Sequence, residues 1–407
     1  MFASALDRCV ALHLDAAKRH LGARFPRHAK CRRKGGVAIL TCLLLVFLLG
    51  LVALAIDTGT LLVARSELQR SADAAALAGT AELLHERATS TFAPMVVRNV
   101  AAAYAETNAV RLTGPNLDLN TANDSGGELV LGELTDPSNP KNLSYGDPSK
   151  FNTTRIRINR NVSRNGQVPL FFARIWGVNG GDVSAVAQAS FLTSFRGFRV
   201  PEPGAQDPPP NLMMLPIAIN EKVWKEAIAG QGQDDYGWDS DKKQVKHQAD
   251  GSCEVDLFPV DTGSGGNWGA VDIGAAKTKN ATLAQQIESG LTKADLDYHG
   301  AELSLNAQGE LQLSGNTGIS AGPLGNALEA IVGEGRIIPL YRETSGSGTN
   351  ATFTIVDFAG GRVMAVKMTG KKYVKIQPST VVTRGGIPAD PGTQQSIQIF
   401  SPVKLTQ

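Results

Sequence analysis

The chain has 407 residues, enough for one or two ordinary cores, with 40 Lys and Arg against 38 Asp and Glu and only four cysteines. The net charge of +2 hides an uneven spread: residues 1–34 hold nine basic residues (Arg8, Lys18, Arg19, Arg24, Arg27, Lys30, Arg32, Arg33, Lys34) against Asp7 and Asp15, so this tail is +7 and the remainder −5. No nucleic-acid-binding motif accompanies the basic tail, so it reads as a membrane-side anchor and no nucleic-acid partner is expected.

The tail ends in Arg32-Arg33-Lys34-Gly35-Gly36, followed by twenty uncharged residues, VAILTCLLLVFLLGLVALAI, and then Asp57. Twenty residues at about 1.5 Å each make a helix about 30 Å long, the thickness of a bilayer's hydrocarbon core. Residues 37–56, with Val37, Leu44, Leu48, Leu51 and Ile56 along them, are therefore predicted to span the membrane. Basic flanks stay cytoplasmic, so the N-terminus is expected inside and the bulk of the chain outside. Ala53-Leu54-Ala55 matches a signal-peptidase site, but the apolar run exceeds the usual 7–15 residues of a signal peptide, which favours a retained anchor. Cys9 and Cys31 would lie inside, Cys42 in the bilayer and Cys253 alone outside, so the exported portion cannot close an internal disulfide; Cys253 reads as a buried thiol.

Residues 57–90 contain no proline and are rich in Ala, Leu, Glu and Arg, which predicts one continuous helix from the bilayer outward. Leu61, Ala64, Leu68, Ala72, Ala75, Gly79 and Leu83 follow steps of three and four and share a face. Its small residues would let another helix approach closely. A second helix is expected over 92–112, after Pro94, then a turn-rich stretch to 127. Strands are expected over 128–134, 153–162 (Ile156 and Ile158 alternating with Arg155, Arg157 and Asn159) and 183–192, with a short buried helix over 169–178, PLFFARIWGV. Residues 201–210, PEPGAQDPPP, read as a stiff linker. Beyond it a β-rich region is expected, with a helix over 323–332, strands over 336–341, 352–358, 363–368 and 373–376, and residues 295–314 ambiguous.

Motifs for catalysis are thin. Asp57-Thr58-Gly59-Thr60 and Asp261-Thr262-Gly263-Ser264 both fit the aspartic-protease D-T-G-[ST] pattern, and Asn267-Trp268 follows the second. That chemistry needs both carboxylates about 3 Å apart in one wet cleft, and an aspartate at the end of a membrane helix cannot face its twin in that way. Six histidines carry no H-E-x-x-H and the cysteines no C-x-x-C, so no zinc site is expected. Asp234-Asp235 and Asp239-Ser240-Asp241 lack the Gly and Glu of an EF-hand and read as a solvated loop. There is no phosphate-binding G-x-x-x-x-G-K-[ST] and no G-x-S-x-G elbow. Six N-x-[ST] sequons (Asn123, Asn142, Asn152, Asn161, Asn280, Asn350) suggest polar outer loops. No catalytic residue, cofactor or metal is expected.

The segment running from Arg33-Lys34-Gly35-Gly36 through the apolar span to Asp57, and on to Leu68-Gln69-Arg70-Ser71-Ala72-Asp73-Ala74-Ala75-Ala76-Leu77-Ala78, closely resembles the N-terminal module of Tad (tight adherence, Flp-type) pilus-assembly proteins of the TadG-like group. That module reads as a basic pair, Gly-Gly, apolar span, Asp, then L-Q-x-A-A-D-A-A-A-L-A, with Ser71 in place of an Ala. Gly180 to Ala189, Asn267 to Gly274 and Gly322 to Tyr341 are similar to later parts of the same group. The resemblance implies a bacterial envelope protein of a pilus and secretion machine, not an enzyme. The D-x-S-x-S metal site of members with a von Willebrand A domain is missing. Type IV prepilins place a Glu five residues after the processing glycine, where this chain has Thr41.

The expected fold is α+β: a transmembrane helix extended into a long amphipathic helix, a pseudopilin-like domain over 57–198, a linker over 199–211 and a β-rich domain over 212–407. The expected function is structural, anchoring or assembling a Flp-type pilus, from the inner membrane. Its partners would be lipid and other pilus-assembly proteins, met through the helix face named above. A membrane-anchored hydrolase and a module binding an unnamed ligand through the β-rich domain are the alternatives.

Overall fold

A computed structural model describes residues 36–89, 92–202, 211–257, 268–274, 279–315, 322–346, 351–390 and 396–406. The basic tail with Gly35, Cys9 and Cys31, most of the Pro-rich stretch, Asp261 with its D-T-G-S run, Asn267 and the Asn350 sequon lie outside these residues.

Helix α1 (Gly36–Thr89) runs 54 residues without interruption, about 80 Å at 1.5 Å per residue. The expected continuity from span to outer helix is present, and no proline breaks it. Helix α2 (Pro94–Thr107) begins on a proline, whose missing N–H costs nothing in a first turn, and packs back along α1. It stops five residues short of the expected end: Asn108 leaves the helical region (φ −90°, ψ 77°), and Arg111 and Leu112 then take positive φ (50° and 68°). A bridge between Val110 and Thr113 closes that turn.

The first sheet contains β1 (Leu129–Leu134), β2 (Leu143–Ser144), β3 (Thr153–Arg160) and β4 (Val183–Ser190), in the antiparallel order β2-β1-β3-β4, and the C-terminal segment Lys404–Leu405 pairs with the far edge of β4. Ile156 and Ile158 pair with Ala187 and Ala185 of β4. These four join Ala64, Leu68, Ala72 and Ala75 of α1 and Ala101 and Ala105 of α2 in one core. Alanines on both surfaces let the helix lie close on the sheet.

Residues 169–178 are not the buried helix expected from their apolar content. Val168–Pro169 and Gly180–Gly181 form a two-stranded hairpin, and its tip holds one 3-10 turn, Ala173–Trp176, closed by Gly177 at φ 82°. Most of its side chains face outward.

The second part is built on a seven-stranded sheet of β5 (Ile217–Asn220), β6 (Val255–Asp256), β7 (Trp268–Ala270), β8 (Leu311–Ser314), β9 (Gly335–Ser345), β10 (Thr352–Lys367) and β11 (Tyr373–Pro378). The order is β6-β11-β10-β9-β5-β7, with β8 also on β10. Helices α3 (Glu221–Ile228), α4 (Asn280–Ser289) and α5 (Pro323–Ala330) contribute Trp224, Leu283, Ile287, Leu324 and Leu328 to the core on one face. A three-stranded sheet of Phe195–Phe198, Leu303–Ser304 and Gly386–Pro388 contributes Phe195, Phe198 and Leu303 to the core on the other. The expected strands 352–358 and 363–368 are one strand. Gly360 and Gly361 are not a turn but places of close approach: a Cβ at Gly360 would lie 2.4 Å from the Ser379 carbonyl, and one at Gly361 2.5 Å from Ile338 Cδ1.

The architecture is the expected α+β with a β-rich C-terminal part. Strand pairings join the parts on either side of residues 199–211. Among the described residues Phe195–Phe198 pairs only with strands of the second part. The C-terminal strand returns to β4, and Phe191 and Phe400 meet edge to face, 5.6 Å between centroids.

Candidate functional site

Among the described residues one helix, α1, is long and apolar enough to cross a membrane. Over 37–52 the described side chains, including Val37, Leu44, Leu48 and Leu51, are exposed on every face, and Ile56 is exposed too. No apolar helix could show that surface to water, so lipid or another helix must cover it. From Ala53 onward one face turns inward: Ala53, Asp57, Thr60, Ala64, Leu68, Ala72, Ala75, Gly79 and Leu83 are buried, in steps of three and four. Leu61 is half-buried beside them.

This is the face whose small residues predicted close approach by a helix of another protein. Ala64, Leu68, Ala72, Ala75 and Gly79 instead meet elements of the same chain, α2, β3 and β4. A Cβ on Gly79 would sit 3.0 Å from Ala101 Cβ and 3.2 Å from Thr154 Cγ2, so the glycine is where α2 and β3 press closest.

The polar residues of the same motif also have definite partners. Gln69 Nε2 donates to the Val186 carbonyl of β4 (3.0 Å) and to Asp73 Oδ1 (2.8 Å), so Asp73 holds the amide that satisfies the strand. Thr80 donates to the Ala189 carbonyl (3.0 Å) of the same strand. Ser71, where the motif expects Ala, donates to the Ala105 carbonyl (3.0 Å) in the last turn of α2, which also accepts the Asn108 N–H (3.2 Å). Ala74 and Leu77 are half-buried on the flank.

Asp57 ends the apolar run, and the residue is 7% exposed. It accepts three consecutive backbone N–H groups from the hairpin tip: Phe171 to Oδ1 (2.8 Å), Phe172 to both oxygens (3.1 and 3.2 Å) and Ala173 to Oδ2 (2.7 Å). Those N–H groups open the 3-10 turn, the end where a negative charge is favoured. One turn further along α1 the hairpin touches again: a Cβ on Gly181 would lie 2.7 Å from Leu61 Cδ2, contact that only glycine permits. The sequence marked Asp57 as a bilayer boundary but held no signal for a partner 114 residues away.

Elsewhere several polar groups tie elements of the fold together. Arg98, pushed below its ordinary pKa by burial, donates to the Leu119 (2.6 Å) and Leu129 (3.2 Å) carbonyls and to Asn123 Oδ1 (2.8 Å), tying α2 to the turn-rich stretch. Cys253 is a buried free thiol, its pKa raised first by burial. In the acidic loop Asp235 pairs with Lys375 (2.7 Å) and Asp239 with Lys246. No group of three or more His, Cys, Asp or Glu among the described residues is placed to hold a metal ion.

Residues 35–89 match the model of the Tad family, described as "Putative Flp pilus-assembly TadE/G-like". The matched segment is α1 with the residue before it. No curated protein and no solved structure matches the chain.

Proposed function

We propose that this protein is a structural, non-enzymatic component that anchors or helps assemble a Tad/Flp-type pilus, and so contributes to surface adhesion or secretion; the reading is supported by the match of residues 35–89 to the Tad pilus-assembly family and by α1, the one described helix long and apolar enough to cross a membrane. The observation that carries the reading is the coincidence of the family match with α1, whose residues 37–52 are uncharged and exposed on every face. The proposed setting is the bacterial inner membrane, with the basic tail in the cytoplasm and both folded parts outside, because nine Lys and Arg precede the span whereas only Arg65 and Arg70 lie among residues 57–76 after it. Contact with other pilus-assembly proteins is assigned to residues 37–56, since the outer half of α1 already has its partners. Neither a hydrolase nor a ligand-binding role has a specific observation in its favour: both oxygens of Asp57 are taken by backbone donors.

Two experiments test this. Deletion of the gene in its host should abolish or reduce surface pili seen by electron microscopy, with restoration by the full chain but not by one lacking residues 35–89. Pili unchanged by the deletion would remove the role. Separately, a periplasm-dependent reporter fused at the C-terminus should be active; an active cytoplasmic reporter there would reverse the topology.

A further inference from the structure

The tip of the 168–181 hairpin exposes Phe171 (62%), Ile175 (76%), Trp176 (73%) and Val178 (50%) together. Such a group of large apolar side chains on a small loop is not a neutral surface, because contiguous apolar patches on soluble domains mark something that covers them. We propose that this hairpin is a second membrane contact, an aromatic foot that rests in the headgroup region of the same bilayer that α1 crosses.

The position of the loop names lipid as the occupant. The hairpin is fastened to α1 at Asp57 by three backbone hydrogen bonds and at Leu61 by the Gly181 contact. Residues 57 and 61 are separated by about 6 Å along a helix, and Asp57 is the first residue after the apolar run. The foot therefore sits at the depth where the bilayer ends. The apolar surface is continuous with the span, since Leu62 and Val63 of α1 remain exposed just past Asp57. The composition suits that depth: Trp lodges at the membrane–water boundary, and exposed Arg174 can reach headgroup phosphates while its stem stays among the apolar side chains. The same arrangement resolves the cost of a carboxylate beside hydrocarbon, since both Asp57 oxygens are satisfied from within the chain. A single helix would leave the outer parts free to tilt, whereas a helix with a foot fixes their attitude to the membrane.

The proposal rests on the span reading of residues 37–56, and the test separates the two. The full-length protein and Trp176→Phe are reconstituted in phosphatidylcholine vesicles, with and without bromine at the 6,7 positions of one acyl chain. The difference between their fluorescence isolates Trp176 from the three other tryptophans. Brominated lipid is expected to remove more than half of this component, and aqueous iodide little of it. A component quenched by iodide alone, or shielded from both quenchers by a protein partner, overturns the foot. Carbonate extraction at pH 11 is run on the same vesicles. Retention with Trp176 unquenched sinks the foot while leaving the span intact; release of the chain sinks both.

Discussion

Gly79 gives a sharp test of whether the small-residue face of α1 works inside this chain or between proteins. In a helix interior Gly→Ala normally gains about 1 kcal/mol. Here the new methyl would meet Ala101 Cβ at 3.0 Å and Thr154 Cγ2 at 3.2 Å. One neighbour sits on α2 and the other in the middle of the sheet, so neither can swing away as the end of a long side chain would. Overpacking of this kind costs about 1–3 kcal/mol. Gly79→Ala should therefore be neutral to about 2 kcal/mol destabilising, against the propensity rule, and Gly79→Leu should cost at least about 3 kcal/mol. At roughly 2–4 °C per kcal/mol the leucine variant should melt on the order of 10 °C lower. The assay is thermal unfolding by circular dichroism of the purified chain in detergent, with no other pilus protein present. A cycle with Ala101→Gly should return about 1 kcal/mol of coupling, because that change reopens the crowded space. The reasoning fails if Gly79→Ala melts about 3 °C higher, or if Gly79→Leu is silent in the purified chain and harmful only when partner proteins are present.

Three further expectations follow from the same helix and from the second sheet. Gln69→Leu leaves the Val186 carbonyl without its donor and should cost about 1–3 kcal/mol in urea unfolding, whereas a change below the measurement error would mean that water replaces the amide. Ser71→Ala restores the residue the Tad-like motif expects but removes the bond to Ala105; the loss of about 1 kcal/mol should exceed the gain in helix propensity of about 0.5 kcal/mol, and a variant more stable than the parent would refute this. Burial raises the carboxyl of Asp357 from 3.8 to about 6, so the folded state binds more protons than the unfolded one between those values and stability falls as pH rises through that window. Asp357→Asn should flatten this slope and stabilise the chain at pH 7 by on the order of 2 kcal/mol; an unchanged slope between pH 4 and 6 assigns it to another group.

What could be read in advance followed from local rules. The span, the unbroken helix beyond it, and the alternation of Ile156 and Ile158 all follow from neighbours a few residues apart, and each is present. The misreadings share another cause. Residues 169–178 were assigned to the interior because apolar side chains are usually buried, yet Phe171 and Trp176 are held outward by a carboxylate from another part of the chain. Gly360-Gly361 reads locally as a break between strands, but the glycines admit the Ser379 carbonyl and Ile338 into a continuous one. The spacing of Ala64, Ala72, Ala75 and Gly79 marks one face of α1, but which surface meets that face depends on α2, β3 and β4, brought there by tertiary folding alone. Phe195–Phe198 and Lys404–Leu405 cross between the two parts for the same reason, and no composition shift marks them.

The motif matched over residues 35–89 can now be understood as a device for seating a membrane helix on a sheet. Leu68, Ala72, Ala75 and Gly79 give the close approach, Gln69 and Thr80 satisfy carbonyls along β4, Asp73 orients Gln69, and Asp57 takes up the hairpin that follows β3. None of these functions can be performed by the helix alone. The matched segment ends at residue 89, but most of its partners lie between residues 92 and 191, with the C-terminal strand added at the sheet edge, so the physical unit is more than twice as long as the matched one. A fragment holding only residues 35–89 would expose the Leu68 and Leu83 side of α1 to water with no sheet beneath it. It should self-associate through that face, giving oligomers in detergent by analytical ultracentrifugation, whereas the full chain covers the same side chains with its own strands. A fragment that stays monomeric would mean that the outer half of α1 needs no partner, and the seating of helix on sheet would lose its claim to explain the motif.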